Sequence, residues 1–198
     1  MRWNRLFDDL EVQLDRELDL EDRGLRQEEE RLRLGRLSLR ERIAALAAPG
    51  EPAASAVRVE IGDETFHVRP TAFGRDWLAG DIIGEGPYPL ACVIPFASVT
   101  AIVVTSESRI AASLETERES TARLMERIGL VFALRDLCRR RVGVSIVTVT
   151  GRVHGTIDRV ARDHIDLAVH ERGVPRRTRD VAEFRILPLT AIRYLTME

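Results

Sequence analysis

The chain has no lysine: all thirty of its cationic side chains are arginine, and asparagine occurs once, as Asn4. Codon bias in a GC-rich genome accounts for this most plainly. A chemical consequence remains, because every cation is a planar fork suited to carboxylate or phosphate. Aromatic residues are scarce at 5%, which argues against the stacking platforms that hold single-stranded nucleic acid. The two cysteines, Cys92 and Cys138, lack CxxC spacing, so neither a metal nor a redox centre is indicated. No apolar run approaches the roughly 20 residues needed to span a bilayer. The first residues lack the apolar core of a signal peptide. A cytoplasmic protein with reduced thiols and no membrane contact is expected.

What is present is a balanced, well-solvated chain. Of 198 residues, 44% are hydrophobic and 31% charged, with a formal net charge of −2. That length and composition suit one or two packed domains. The charge excludes a protein coated in positive potential while permitting a local basic patch.

Residues 1–48 carry a helical period. Trp3, Phe7, Leu10, Leu14 and Leu18 form one apolar stripe, a candidate surface for a protein partner. Gly24 is a possible bend, and a dense charged stretch ends near Gly35. Ser38 with Glu41 three residues on reads as a capping box, opening a helix with Leu39, Ile43 and Leu46 on one face. Leu18, Leu25, Leu32, Leu39 and Leu46 are spaced by seven. The positions four after the first four of them are Asp22, Glu29, Arg36 and Ile43, mostly charged, where a two-stranded coil needs apolar side chains. A packing helix or helical hairpin is the better reading. Residues 49–55 form a Pro- and Gly-bearing linker.

The period then changes. Val57, Val59 and Ile61 alternate with polar neighbours before a Gly62-Asp63 turn. Strand-like runs follow at Phe66–Arg69, around Trp77-Leu78, at Ala91–Ile94 and at Val99–Val104. Residues 106–141 return to helical spacing through Ile110, Leu114, Leu124, Ile128 and Val131, with Gly129 as the natural break. Residues 142–198 alternate again. Short, closely spaced strands suggest a small barrel or sandwich.

The two β-rich stretches align with each other. His67-Val68-Arg69 matches His154-Gly155-Thr156, and Arg75-Asp76-Trp77-Leu78 matches Arg162-Asp163-His164-Ile165 at the same offset. Ile94-Pro95-Phe96 parallels Leu187-Pro188-Leu189, and Leu39-Arg40-Glu41 parallels Leu134-Arg135-Asp136. Four matches in one order point to an internal duplication.

The order of elements in each copy resembles the Sm-like fold, a helix followed by a five-stranded, strongly bent barrel. The second copy is closer: Val144 to Thr150, Gly151, then Arg152-Val153-His154-Gly155-Thr156-Ile157 looks like that family's first strand, turn and glycine-bearing second strand. A strand that curls through a small barrel needs a position without Cβ. Asp163-His164-Ile165-Asp166 stands where the family has Asp-x-aliphatic-Asn, and the first copy reads Asp76-Trp77-Leu78-Ala79. The family's RNA-contacting asparagine and its later Arg-Gly pair are therefore not carried over. The opening Met1 to Glu11 resembles uncharacterised actinobacterial proteins. The resemblance implies an α+β chain with an N-terminal helical region (1–36) and two tandem helix-and-small-barrel modules (37–105 and 132–198), joined by a long helix (106–131).

Two groups of residues stand out as candidate sites. Arg139, Arg140 and Arg141 close the long helix, and Arg176, Arg177 and Arg179 lie in a later loop with Arg172 nearby, a candidate phosphate-binding face. Arginine at a helix C-terminus is favoured by the macrodipole, and an arginine loop is often only solvated, so the plainer reading prevails. His67 and His154 are equivalent between copies. His164 and His170, on one strand face, are about 20 Å apart, too far for one metal. No phosphate loop, nucleophile elbow or HExxH motif occurs. The sequence thus points to a non-enzymatic binding or assembly protein that uses protein–protein contact or self-association, with no cofactor or metal. RNA or DNA binding through the arginine clusters is the alternative.

Overall fold

The computed structural model describes residues 22–47, 56–84, 88–114 and 127–197. The chain divides into two compact units, Met1–Ser38 and Leu39–Glu198. In the first, residues 22–36 are helical (α1) and almost wholly exposed. The helix runs through Gly24 without interruption. Local ion pairs, Arg26 with Asp22 and Arg33 with Glu30, support it at the spacings where helical side chains meet.

The second unit starts with helix α2 (Leu39–Ala47), followed by strands β1 (Val57–Ile61), β2 (Glu64–Phe73), β3 (Trp77–Ile83), β4 (Leu90–Pro95) and β5 (Ala101–Val103). A short helix α3 (Glu107–Ala112) and helix α4 (Leu130–Arg139) come next. Strands β6 (Gly143–Thr148), β7 (Gly151–Val160), β8 (His164–Val169), β9 (Glu183–Pro188) and β10 (Ile192–Met197) complete it. Alternation explains most of the strands: β1 buries Val57, Val59 and Ile61 and turns Arg58 outward, as a strand with one solvated face should.

The expected fold class is corrected here. All ten strands form a single open antiparallel sheet in the order β5-β1-β2-β3-β4-β10-β6-β7-β8-β9. The two closed small barrels implied by the resemblance are absent, as is their arrangement as separate tandem modules. The reason lies at one junction. β4 buries Cys92, Val93, Ile94 and Pro95 in succession, so it has no solvated face and no tolerance for a bare edge. β10 covers that edge, with Leu195 opposite Val93 and Thr196 opposite Cys92. The long connecting helix fails as well: α3 ends at Ala112 with Ser113 as its cap, and α4 begins only after Gly129, which is extended (φ −78°, ψ 163°).

The halves nevertheless share a plan. β1–β5 lie in the order 5-1-2-3-4, and β6–β10 in the order 10-6-7-8-9. Registers correspond: Val68 faces Ile82 as Gly155 faces Val169, and Trp77 faces Pro95 as His164 faces Pro188. β2 shifts register between Pro70 and Ala72, and β7 between Ile157 and Arg159. The β8 backbone comes so close to Gly155 of β7 that a Cβ there would run into the Ala168 carbonyl, which is why only glycine fits there.

Two cores result. α2 covers Val57, Val59, Ile61, Leu78, Cys92 and Ile94 together with Val147 and Tyr194. α4 covers the core of the second half, with Val144, Ile146, Ile157, Leu167 and Leu195, and the same cluster takes in Trp77 and Val93 of the first half. The far faces of β3 and β4 are thus packed against elements from the other half of the chain, which leave an apolar pocket of about 270 Å³ between Trp77, Val93 and Phe132.

Candidate protein-binding edge

A sheet of this order has two terminal strands, β5 and β9. β9 is exposed along almost its whole length, with only Leu187 partly buried. Its sequence, Glu183-Phe184-Arg185-Ile186-Leu187-Pro188, alternates, so Phe184 and Ile186 share one face. They are 64% and 71% exposed. Each sits opposite a β8 residue on its inner side, Ala168 and Asp166 respectively, and among the described residues no strand lies on its outer side. Unpaired N–H and C=O groups beside large apolar side chains are a template for another strand. Natural edges are commonly blunted by charge or proline. Here Pro188 sits at the end of β9, and Arg185 ion-pairs with Glu183, leaving Phe184 and Ile186 bare.

Phe184 and Ile186 line one wall of a cleft of about 530 Å³, whose other lining residues are Arg141, Asp158, Arg159, Asp166, Arg176 and Arg185. Its cations are matched by acids. Asp158 accepts from Arg141 at 2.7 Å and from Arg176 at 2.6 Å, and Arg159 lies 3.6 Å from Asp166. Burial works to raise the Asp158 carboxyl, but its hydrogen bonds and charge contacts with Arg176, then Arg141, outweigh that and hold it below its ordinary value. The cleft is an ion-paired rim to the apolar pair rather than an open cationic pocket.

The arginines singled out from the sequence are brought only partly together. Arg139 and Arg140 turn back onto Asp136, Arg141 and Arg176 share Asp158, and Arg179 lies 3.6 Å from Asp180. Arg177 is exposed. Arg172 donates to Ser145 Oγ at 3.1 Å. Five of the six clustered arginines therefore lie against carboxylates of the same chain, which reduces the field a phosphate backbone would meet. Trp3, Phe7, Leu10 and Leu14 lie outside the described residues. Among the seven-spaced leucines, Leu25, Leu32 and Leu39 are exposed and Leu46 is buried.

A polar cluster not anticipated from sequence joins β6, β7 and the segment after β8. Ser145 Oγ lies 3.0 Å from His154 Nδ1, and Thr156 Oγ1 lies 2.9 Å from His170 Nε2. The two imidazoles meet edge to face at 5.3 Å. His170 Nδ1 is 3.0 Å from the Glu171 carbonyl, which can only accept, so Nδ1 carries a proton and donates it there. His164, by contrast, bonds Asp163. Ser145, Thr156 and His170 are all buried, so this cluster satisfies polar groups inside the sheet. The register of β6 against β7, Ser145 opposite His154, is the signal that alternation alone did not supply.

Burial, then Asp81, pushes the Cys92 thiol up to about 12 against a smaller opposing effect of the Gly80 backbone hydrogen bond, leaving an inert core group. Among the described residues no cluster of three or more His, Cys, Asp or Glu could hold a metal. Among them, too, no helix is long and apolar enough to cross a membrane. No family model, curated protein or solved structure matches this chain.

Proposed function

We propose that this chain is a non-enzymatic assembly protein that binds other protein chains through the unpaired edges of its sheet, chiefly β9. One observation carries the reading: Phe184 and Ile186 stand exposed side by side on a terminal strand, at the position whose counterpart in the first half, β4, is covered by a strand. Strand addition to such an edge gives affinity through main-chain hydrogen bonds and specificity through alternate side chains. The ion pairs of the adjoining cleft supply a polar rim around an apolar centre, as protein interfaces generally have. In this reading Trp3, Phe7, Leu10 and Leu14 are a second, separate contact.

A photo-crosslinking amino acid placed at position 184 tests this in the producing cell. The expected result is a protein adduct at position 184 and none at Thr71, an exposed residue of β2, which is not a terminal strand. Adducts with nucleic acid alone, or none at position 184, would remove the reading.

A further inference from the structure

The molecule contains one example of how its own edges fit together. At the centre of the sheet, β4 of the first half meets β10 of the second, with Val93 against Leu195 and Cys92 against Thr196. More than the ladder seals this junction. Trp77 and Val93, on the far face of β3 and β4, enter the α4-covered core. Trp77 Nε1 donates to the Ile128 carbonyl at 2.9 Å, and Asp76 Oδ1 accepts from the Leu130 amide at 2.7 Å, capping α4.

Each partner in that junction has a counterpart at a free end. The counterpart of β4 is β9: Pro95 and Pro188 each end a strand, face the first residue of the preceding strand, and lead into a single 3-10 turn. The counterpart of β10 is β5, since Ile102 faces Val59 of β1 as Leu195 faces Ile146 of β6. β9 and β5 are the two terminal strands. Asp163 stands where Asp76 stands, and its carboxyl is 82% exposed. Leu130, the first residue of α4, is 7% exposed at the junction. Leu39, the first residue of α2, is 42% exposed at the free end; buried Ile43 and Leu46 match Leu134 and Leu137, so its structural counterpart is Leu130 and not the Leu134 of the sequence alignment.

From this we infer that the partner of β9 is β5 of a second copy of this chain, joined head to tail as β4 joins β10, with Ile186 against Ile102 and Arg185 against Val103. The inference rests on the assembly reading above and names its occupant. The contact uses different surfaces on the two copies, so each added chain presents a fresh β9 and a fresh β5. Such a heterologous contact propagates until the rotation closes a ring, or runs on as a filament. Leu39 is then covered by the neighbour's β9 end as Leu130 is covered by β3 and β4, and the outward face of Phe184 and Ile186 becomes interior.

Two variants of the full chain, Ile102→Cys and Ile186→Cys, each in a Cys138→Ser background that leaves Cys92 buried in the core, separate the possibilities under mild oxidation with copper phenanthroline. The inference expects a disulfide-linked two-chain product in the mixture and little in either variant alone. Self-linking of Ile186→Cys alone would show β9 meeting β9, overturning the head-to-tail pairing while leaving edge binding intact. No linkage in the mixture, with both variants keeping the wild-type circular dichroism spectrum, would also overturn it. Should Ile102→Cys fail to fold, Leu39→Cys on the exposed α2 face replaces it, with the same expectation.

Discussion

β4 and β9 occupy the same place in the two halves of one sheet, yet one is sealed and the other bare. β4 buries Cys92, Val93 and Ile94, because β10 lies against its edge and the α4 cluster takes up its far face. β9 has equally apolar residues in Phe184 and Ile186, and both are exposed. The difference is not in local strand chemistry. It lies in whether another part of the chain follows to cover the edge. The first half is completed by the second, and nothing in the described residues completes the second. An edge this apolar is an aggregation hazard when left open, so its persistence fits a surface that is covered by a partner in use.

The sharpest way to break this comparison is to substitute paired positions across the halves. Trp77 is buried and hydrogen-bonded at the junction, so Trp77→Ala should cost about 3–5 kcal/mol. The counterpart His164→Ala should stay within about 0.5 kcal/mol. Urea unfolding of dilute protein measures both, and equal losses would mean the two sites are equally buried. Next comes the carboxylate that caps α4. Asp76→Ala should lose about 1 kcal/mol, whereas Asp163→Ala should leave the dilute protein unchanged and weaken only its association, read by sedimentation at rising concentration.

The sequence made the strands of this comparison visible and hid their neighbours. Val57–Ile61 and Val144–Thr148 declared themselves by alternation or apolar character. Gly155, Pro95 and Pro188 stood at positions where only a bend or strand end suits them. The pairing of β4 with β10 brings together residues about a hundred positions apart in the chain, and no periodicity reports such a contact. The one available hint was that Cys92-Val93-Ile94-Pro95 is apolar without alternation, the pattern of a strand buried on both faces. The stretch 106–141 keeps helical spacing through its apolar residues, so a long helix with its break at Gly129 is expected; α4 does start after Gly129, but α3 already ends at Ala112. The exposure of Phe184 and Ile186 has no signature in the sequence, because exposure at a sheet edge depends on strand order and not on local pattern. The polar cluster of Ser145, His154, Thr156 and His170 was missed for the same reason: it is assembled by cross-strand register and by the chain turning back after β8.

Smaller effects sharpen the picture of the β9 rim. Asp158 has a folded value below its unfolded one, near 3.9 for a free aspartate. Its contribution is therefore present above that unfolded value and is lost as pH falls through the lower folded value. Acid unfolding of the wild type should steepen below about pH 4, and Asp158→Asn should flatten that limb. An unchanged acid limb would mean that Arg141 and Arg176 do not hold the carboxylate in solution. The smallest expected effect concerns the thiols. Cys92 is fully buried with its ionisation pushed up to about 12, while Cys138 is only partly buried. A thiol reagent at neutral pH should label Cys138 first and Cys92 only on unfolding. Simultaneous labelling would show that the β4–β10 junction opens readily.

The most direct test of the central claim is hydrogen exchange of the wild-type chain at low and high protein concentration. The account predicts that amides of β4 and β10 exchange slowly at both, while those of β9 and β5 exchange fast in dilute solution and become protected together as concentration rises. Protection of β9 that is already complete in dilute solution, or that never changes with concentration, would contradict it.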